Sequence, residues 1–410
     1  MTIYPFIRSN RYHNILFLFV LLIIFLLISH KVITYVDTVD SDFFSFWLAG
    51  KVVREGLNPY DEIVWLTGHE IYYADWISDP TFLYPLYTAV IMIPLSLFEL
   101  SISYTIWIWI SQILIFFSTI KLLSLFGNQT KFFVFPVFAG LLLFRPILPL
   151  LLNGQISSIF LGSLVFSVVL IKNRKSFLGG LILSINFLKP NIGVPIFFLF
   201  FFYFLFSKQI SIIWGMILGL FTLILIGVVF QPTWLLDYLK VLIYKQVTTF
   251  GYSASIWGLM YLLTGKNEIS SIMFSSFVCL MLLFAYLLWF IKKKNQELFQ
   301  IFSMVIAIST FITPYLWPYD QIILITPIIY IMSLLAWNKT PFLVSSLFFL
   351  GIDIIIWCIF GYSLQLQTEN LQALLPLSLI IILFLTSNFL SKSLNFINEA
   401  SVENPQKSTT

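Results

Sequence analysis

The feature that most limits what this chain can fold into is a succession of apolar runs, most of them about as long as a helix that crosses the hydrocarbon of a bilayer. After a first run at 14–36, others follow at 84–98, 101–126, 131–152, 155–171, 177–206, 210–230, 270–291, 298–313, 319–337, 341–361 and 371–390. About eleven to thirteen crossings are expected, the spread arising because 84–98 is short and Lys189-Pro190 can divide 177–206 into two helices. Composition agrees: 60% of the 410 residues are hydrophobic and 10% are charged, against about 25% charged in a soluble protein. That leaves too little polar surface to cover a soluble core. The expected fold is an all-α polytopic membrane protein, one membrane domain over 1–390 with a polar, disordered tail at 391–410.

Charges are segregated by loop. Arg8 and Arg11 precede the first run, Lys172, Arg174 and Lys175 form one cluster, and Lys292, Lys293 and Lys294 form another. Such clusters mark the cytoplasmic side. Residues 37–82 instead hold nine acids against two bases, which assigns them to the outside as a first extracytoplasmic loop. Counting every run as one crossing puts Lys172–Lys175 outside, against the charge rule, so one earlier run is not a simple crossing. The expected place is 131–152, interrupted by Arg145-Pro146 and Pro149, because prolines break helices and accompany broken membrane segments. No small-residue cleavage site follows the first run, which reads as an uncleaved anchor of a multi-pass cell-membrane protein. Cys279 and Cys358 lie inside apolar runs and imply no disulfide framework.

Two polar segments, 37–82 and the second long loop 231–269, are long enough for structure of their own. In the first, Phe44, Leu48 and Val52 recur at helical spacing while Lys51, Arg54 and Glu55 fall on another side. A short interfacial helix on the outer leaflet, ended by Gly56, is expected.

Ionisable groups at bilayer depth are costly, so each is a functional candidate. They are Arg145, Lys189, Asp320 and Asp353, with Asp42 at the mouth of the outer loop. Asp42 reads either as a helix N-cap or as a general base that removes a proton from an acceptor hydroxyl. Arg145 and Lys189 each stand beside a proline. They read either as side chains snorkelling to an interface or as paired cations gripping a lipid phosphate. Asn153-Gly154-Gln155 has turn composition, with a polar contact from Gln155 as the alternative. Asp320, in Trp317-Pro318-Tyr319-Asp320, reads as an interfacial N-cap or as part of the same outside pocket. For Asp353 the default is a partner across the bundle.

Other chemistries lack their residues. No nucleotide-binding glycine loop or His-Glu-x-x-His is present, three histidines are too few for a histidine-built metal site, and no basic stripe suits nucleic acid. Asp37, Asp40 and Asp42 have the look of a divalent-cation cluster, but aspartates of an outer loop are mostly solvated, and no metal or cofactor is assigned.

Taken in order, the motifs resemble glycosyltransferase family 87, polytopic enzymes of the GT-C superfamily. Asp42-Phe43-Phe44-Ser45-Phe46-Trp47-Leu48-Ala49-Gly50 followed by Gly56-Leu57-Asn58-Pro59-Tyr60-Asp61 is similar to the family's first outer loop. Phe82-Leu83-Tyr84-Pro85-Leu86 is similar to the Tyr-Pro-Pro start of its second helix, and Asn153-Gly154-Gln155 and Leu188-Lys189-Pro190 match two later signatures. The resemblance implies an extracytoplasmic site and metal-independent, inverting transfer of a hexose, most commonly mannose, from a polyprenyl-phosphate carrier to a lipid or glycan acceptor in the cell envelope. Asp42 would then be the catalytic base. Arg145 and Lys189 would hold the donor phosphate, and Tyr84, Gln155, Tyr319 and Asp320 would line the pocket. Where the family's mycobacterial members carry Ser-Trp-x-His-His, this chain has Trp317-Pro318-Tyr319-Asp320. The rival reading is a multi-pass transporter or lipid-linked-sugar flippase, which should show related halves or paired interrupted helices. No such symmetry is visible in the sequence.

Overall fold

The computed structural model of the chain describes residues 37–74, 81–125, 130–244, 250–292, 297–335 and 341–386, with a few helical residues between 19 and 31. The expectations for Arg8, Arg11, Lys293, Lys294, most of the 14–36 anchor and the 391–410 tail fall outside the described residues. Among the described residues, every regular element is a helix.

Among the described residues, five helices are long and apolar enough to cross a membrane: Leu100–Ser124, Ile210–Phe230, Glu268–Ile291, Pro318–Leu335 and Phe342–Leu366. Six shorter apolar helices accompany them, Phe133–Leu143, Ser157–Lys172, Ser176–Leu188, Pro190–Phe206, Leu298–Ile312 and Asn370–Thr386. Exposed faces are as apolar as buried ones. On Glu268–Ile291, Phe277, Leu280 and Phe284 are 60%, 66% and 60% exposed, a surface that lipid solvates and water does not. The chain is an all-α polytopic membrane protein.

The described residues group into two compact units. The first comprises Met1–Thr130, Leu141–Thr248 and Pro318–Ile323. Its helix Asp42–Arg54 ends as the sequence predicts: Gly56 takes φ +75°, and the amides of Gly56 and Leu57 donate to the carbonyls of Val53 and Val52 at 3.0 Å each. These two bonds make a Schellman cap. Its burial is not confined to one stripe. Phe43, Phe44, Phe46, Trp47, Leu48, Ala49, Gly50, Val52 and Val53 are all buried, so protein rather than a lipid surface covers most of the helix. At Gly50 a Cβ would stand 2.8 Å from the Met92 carbonyl carbon, which fixes a close crossing with Leu86–Met92.

Asp61 caps the next helix, Glu62–Ile71, accepting from the Val64 amide at 3.1 Å. Beside it, the Tyr60 hydroxyl donates to the Tyr84 carbonyl at 2.8 Å. Burial pushes the Tyr60 hydroxyl far above its ordinary pKa, so it stays a donor. Further along, Ser176–Leu183 and Ile210–Phe230 cross backbone to backbone. A Cβ on Gly180 would meet the Ile212 carbonyl, and one on Gly215 the Phe177 carbonyl, at 2.0 and 2.1 Å. Gly215 and Gly219 form the small-residue pair, one turn apart, that allows such an approach.

Both breaks expected beside prolines are present. Thr130–Leu143 stops, Phe144 to Pro146 turn, and the short helix Ile147–Leu152 follows. Likewise the 3-10 turn Ser184–Leu188 ends at Lys189, whose extended backbone (φ −131°, ψ 91°) is what a following proline imposes, and Pro190 starts the next helix at its first position.

The second unit comprises Lys131–Gly140, Thr249–Trp317 and Leu324–Thr410. At its centre every residue from Phe299 to Phe311 is buried. The second polar loop contributes helices here, and its backbone is sewn to the end of Leu298–Ile312: the Ala254 amide donates to the Leu316 carbonyl at 2.7 Å, and the Trp257 indole to the Ile312 carbonyl at 2.8 Å. Asn370 donates to the Gly251 carbonyl at 2.8 Å. Phe349 fills the space beside Gly140, where a Cβ would come within 2.0 Å of its ring. Asp353, on Pro341–Leu366, is 2% exposed, and neither oxygen has a hydrogen-bond partner among the described residues. The partner across the bundle expected for it is therefore not found there.

Candidate functional site

Apart from Asp353, the site candidates belong to the first unit, and several of their contacts meet at the Asn153-Gly154-Gln155 turn. The turn is a second Schellman cap, closing Ile147–Leu152: the Gly154 amide donates to the Leu151 carbonyl at 3.3 Å and the Gln155 amide to the Leu150 carbonyl at 3.0 Å. Gly154 takes φ +60°, and a Cβ there would stand 2.6 Å from the Phe43 Cβ. Only glycine meets both demands. The turn is pinned from three more directions. The Phe43 amide donates to the Asn153 carbonyl at 2.9 Å, the Trp107 indole to the Gly154 carbonyl at 2.8 Å, and the Tyr104 hydroxyl to the Leu152 carbonyl at 2.7 Å.

Asp42 is the first residue of its helix, not the cap. Ser41 holds the cap position and makes no side-chain cap bond, which removes the capping alternative. The Asp42 carboxylate instead accepts from the Gln155 side-chain amide, Nε2 to Oδ2, at 2.7 Å. It is partly exposed and sits at the positive end of the helix, where an anion is favoured. Gln155 is buried, 1% exposed.

Two residues on, Ser157 opens the next helix and donates to Oδ1 of Asp320. Asp320, fully buried, takes the Lys189 ammonium on both oxygens, at 2.8 and 2.7 Å. It therefore serves as a counter-ion, not as an N-cap. Lys189 is 4% exposed and lies over the Tyr319 ring at 4.9 Å. Its break is held open by side chains: the Tyr87 hydroxyl donates to the Phe187 carbonyl and the Thr88 hydroxyl to the Leu188 carbonyl, each at 2.9 Å. Carbonyls that a proline leaves without helical partners are thereby satisfied.

Asp42, Gln155, Asp320, Lys189 and Tyr319 are thus connected, since the Cα atoms of residues 155 and 157 can be at most about 7 Å apart. Tyr84 joins them indirectly. Its ring packs on Phe46 at 4.8 Å, one helical turn from Asp42 on the same face. Arg145 is buried, 5% exposed, at the opposite end of Ile147–Leu152 from the Gln155 turn, a helix about 9 Å long. Snorkelling to an interface does not describe either cation, because neither head reaches the surface of the protein.

The glycosyltransferase family 87 model matches residues 82–314, more than half of the chain. The chain belongs to glycosyltransferase family 87. No curated protein and no solved structure matches it. Family membership makes this a membrane glycosyltransferase. Arg145, Gln155 and Lys189 fall inside the matched stretch, whereas Asp42 and Asp320 lie outside it and are joined to it by the contacts above.

Sequence reasoning passed over Ser157, Tyr104 and Trp107. Ser157 carried a faint signal, as a hydroxyl opening an apolar run directly after a turn. Trp107 and Tyr104 carried none, being aromatics inside a spanning helix, where most serve packing.

Proposed function

We propose that this family 87 enzyme is an inverting, metal-independent transferase that moves a hexose from a polyprenyl-phosphate carrier to an acceptor hydroxyl on the extracytoplasmic side of the cell membrane. Mannose is the first sugar to test, and a lipid or glycan of the envelope is the acceptor. One relationship carries the reading: the Asp42 carboxylate accepts from Gln155, and two positions on Ser157 donates to Asp320, the carboxylate that pairs with the Lys189 ammonium.

In the proposed reaction Asp42 takes the proton of the acceptor hydroxyl. The hydroxyl oxygen attacks the anomeric carbon from the face opposite the phosphate, the bond from that carbon to the phosphate oxygen breaks, and the phosphate leaves with the electron pair. Configuration inverts through an oxocarbenium-like state, as in inverting glycosidases. Arg145 and Lys189 stabilise the departing phosphate. Asp320 occupies two contacts of the Lys189 ammonium, which has three N–H groups, and cancels part of its charge; Arg145 therefore carries the larger share. Tyr84 and Tyr319 contribute aromatic walls of the sort that sugars stack on.

Replacing Asp42 with Asn tests this directly, because the amide keeps the shape and cannot act as a base. In vesicles supplied with polyprenyl-phosphate mannose, the Asp42→Asn enzyme should fold and transfer nothing. A folded, active variant overturns the assignment.

A further inference from the structure

The Gln155 side chain touches the proposed base with one half of its amide only. Its Nε2 donates to Oδ2 of Asp42 at 2.7 Å. Its Oε1 is buried and has no hydrogen-bond partner among the described residues, although a buried carbonyl oxygen without a donor is destabilising. Nothing about the turn requires this arrangement. The Schellman bonds use the main chain of Gln155 only, and an apolar side chain of the same length would fill the space without stranding an acceptor.

We propose that Gln155 is a positioning residue for Asp42, serving both of its protonation states. While Asp42 is a carboxylate, the amide N–H holds Oδ2 and fixes the plane of the carboxyl group that receives the acceptor's proton. Once that proton has moved to Asp42, the group is a donor. A half-turn about the last side-chain torsion, which is broad and nearly two-fold for an amide, then turns Oε1 toward Oδ2, so that the protonated carboxyl group can donate from that oxygen. The stranded oxygen is the partner for the state after proton transfer. The Phe43, Tyr104 and Trp107 bonds to the turn keep the amide opposite Asp42 through both states.

This inference rests on Asp42 being the base, and the test separates the two. Gln155→Met keeps length and volume and can neither donate nor accept. Gln155→Glu keeps an acceptor but places a second carboxylate beside the first. With polyprenyl-phosphate mannose and a hydroxyl acceptor, Gln155→Met should lower kcat by roughly ten- to a hundred-fold, the range of a hydrogen bond to a charged group. The KM values for donor and acceptor and the unfolding midpoint in detergent should stay near wild type. Gln155→Glu should lose more. Wild-type kcat in Gln155→Met, beside an inactive Asp42→Asn, overturns the positioning role and leaves the base in place. Loss of kcat together with a raised KM and a lowered midpoint also overturns it, since that is the signature of a turn that has merely come apart. Activity in Asp42→Asn overturns both.

Discussion

Lys189 and Asp320 form a buried ion pair, with the ammonium 2.7 Å from one carboxylate oxygen and 2.8 Å from the other, and with 6% and 0% of their side chains exposed. Either charge alone would be stranded in apolar surroundings. Breaking such a pair by removing one partner destabilises by about 3–5 kcal/mol, while replacing both partners with apolar residues is often neutral. Lys189→Met and Asp320→Leu should each lower the unfolding midpoint in detergent strongly, and the double variant should recover most of the loss. Additive losses would mean that the pair does not act as a unit.

Donor binding should depend on Arg145 in a way that stability does not. Arg145→Gln is expected to raise the KM for a polyprenyl-phosphate sugar about tenfold or more, the consequence of losing a charge-assisted bond to phosphate. Arg145→Lys should recover part of that. An unchanged donor KM in Arg145→Gln removes this residue from the phosphate site.

Two glycines with left-handed backbone should respond differently to alanine. Gly56, φ +75°, has nothing within 4 Å of an added Cβ, so Gly56→Ala should lose about 1–2 kcal/mol from the backbone alone. Gly154, φ +60°, would drive the same Cβ to 2.6 Å from Phe43. Gly154→Ala should be less stable than Gly56→Ala and, by pushing Phe43 and with it Asp42, nearly inactive. Comparing unfolding midpoints and kcat for the pair checks both statements.

The break before Pro190 depends on two hydroxyls. Tyr87→Phe and Thr88→Val each strip a buried carbonyl of its donor, with an expected loss of about 1–3 kcal/mol apiece. If the break positions Lys189, both variants should also bind donor more weakly, as read by donor KM.

Asp353 invites the opposite result. A buried carboxyl group without a hydrogen-bond partner among the described residues is a liability that an apolar residue removes. Asp353→Leu should keep activity and raise the unfolding midpoint by a few degrees, the order expected for about 1 kcal/mol in a large chain. A marked fall in activity would make Asp353 functional instead.

Much of this architecture is written in local signals. The spanning runs follow from composition, the end of the Asp42–Arg54 helix from Gly56, and the breaks at Arg145-Pro146 and Lys189-Pro190 from the geometry that proline imposes on its own and the preceding residue. The stripe of Phe44, Leu48 and Val52 accounts for only part of what the Asp42–Arg54 helix buries. Phe43, Phe46 and Ala49 lie off that stripe and are buried as well, because other segments of the unit cover the helix, and no pattern within 42–56 records their presence.

For the site, the sequence by itself determined which groups are scarce and expensive at bilayer depth, and so which ones to suspect: Asp42, Arg145, Lys189 and Asp320. It could not say how they pair, because pairing depends on segments remote in the chain. Only the tertiary structure gave Lys189 to Asp320, moved Asp42 from the cap to the first turn, and set Gln155 against it. The physical reason is one of range. Proline and glycine constrain a few neighbouring residues, whereas a hydrogen bond between positions 42 and 155 exists only after the intervening helices have packed.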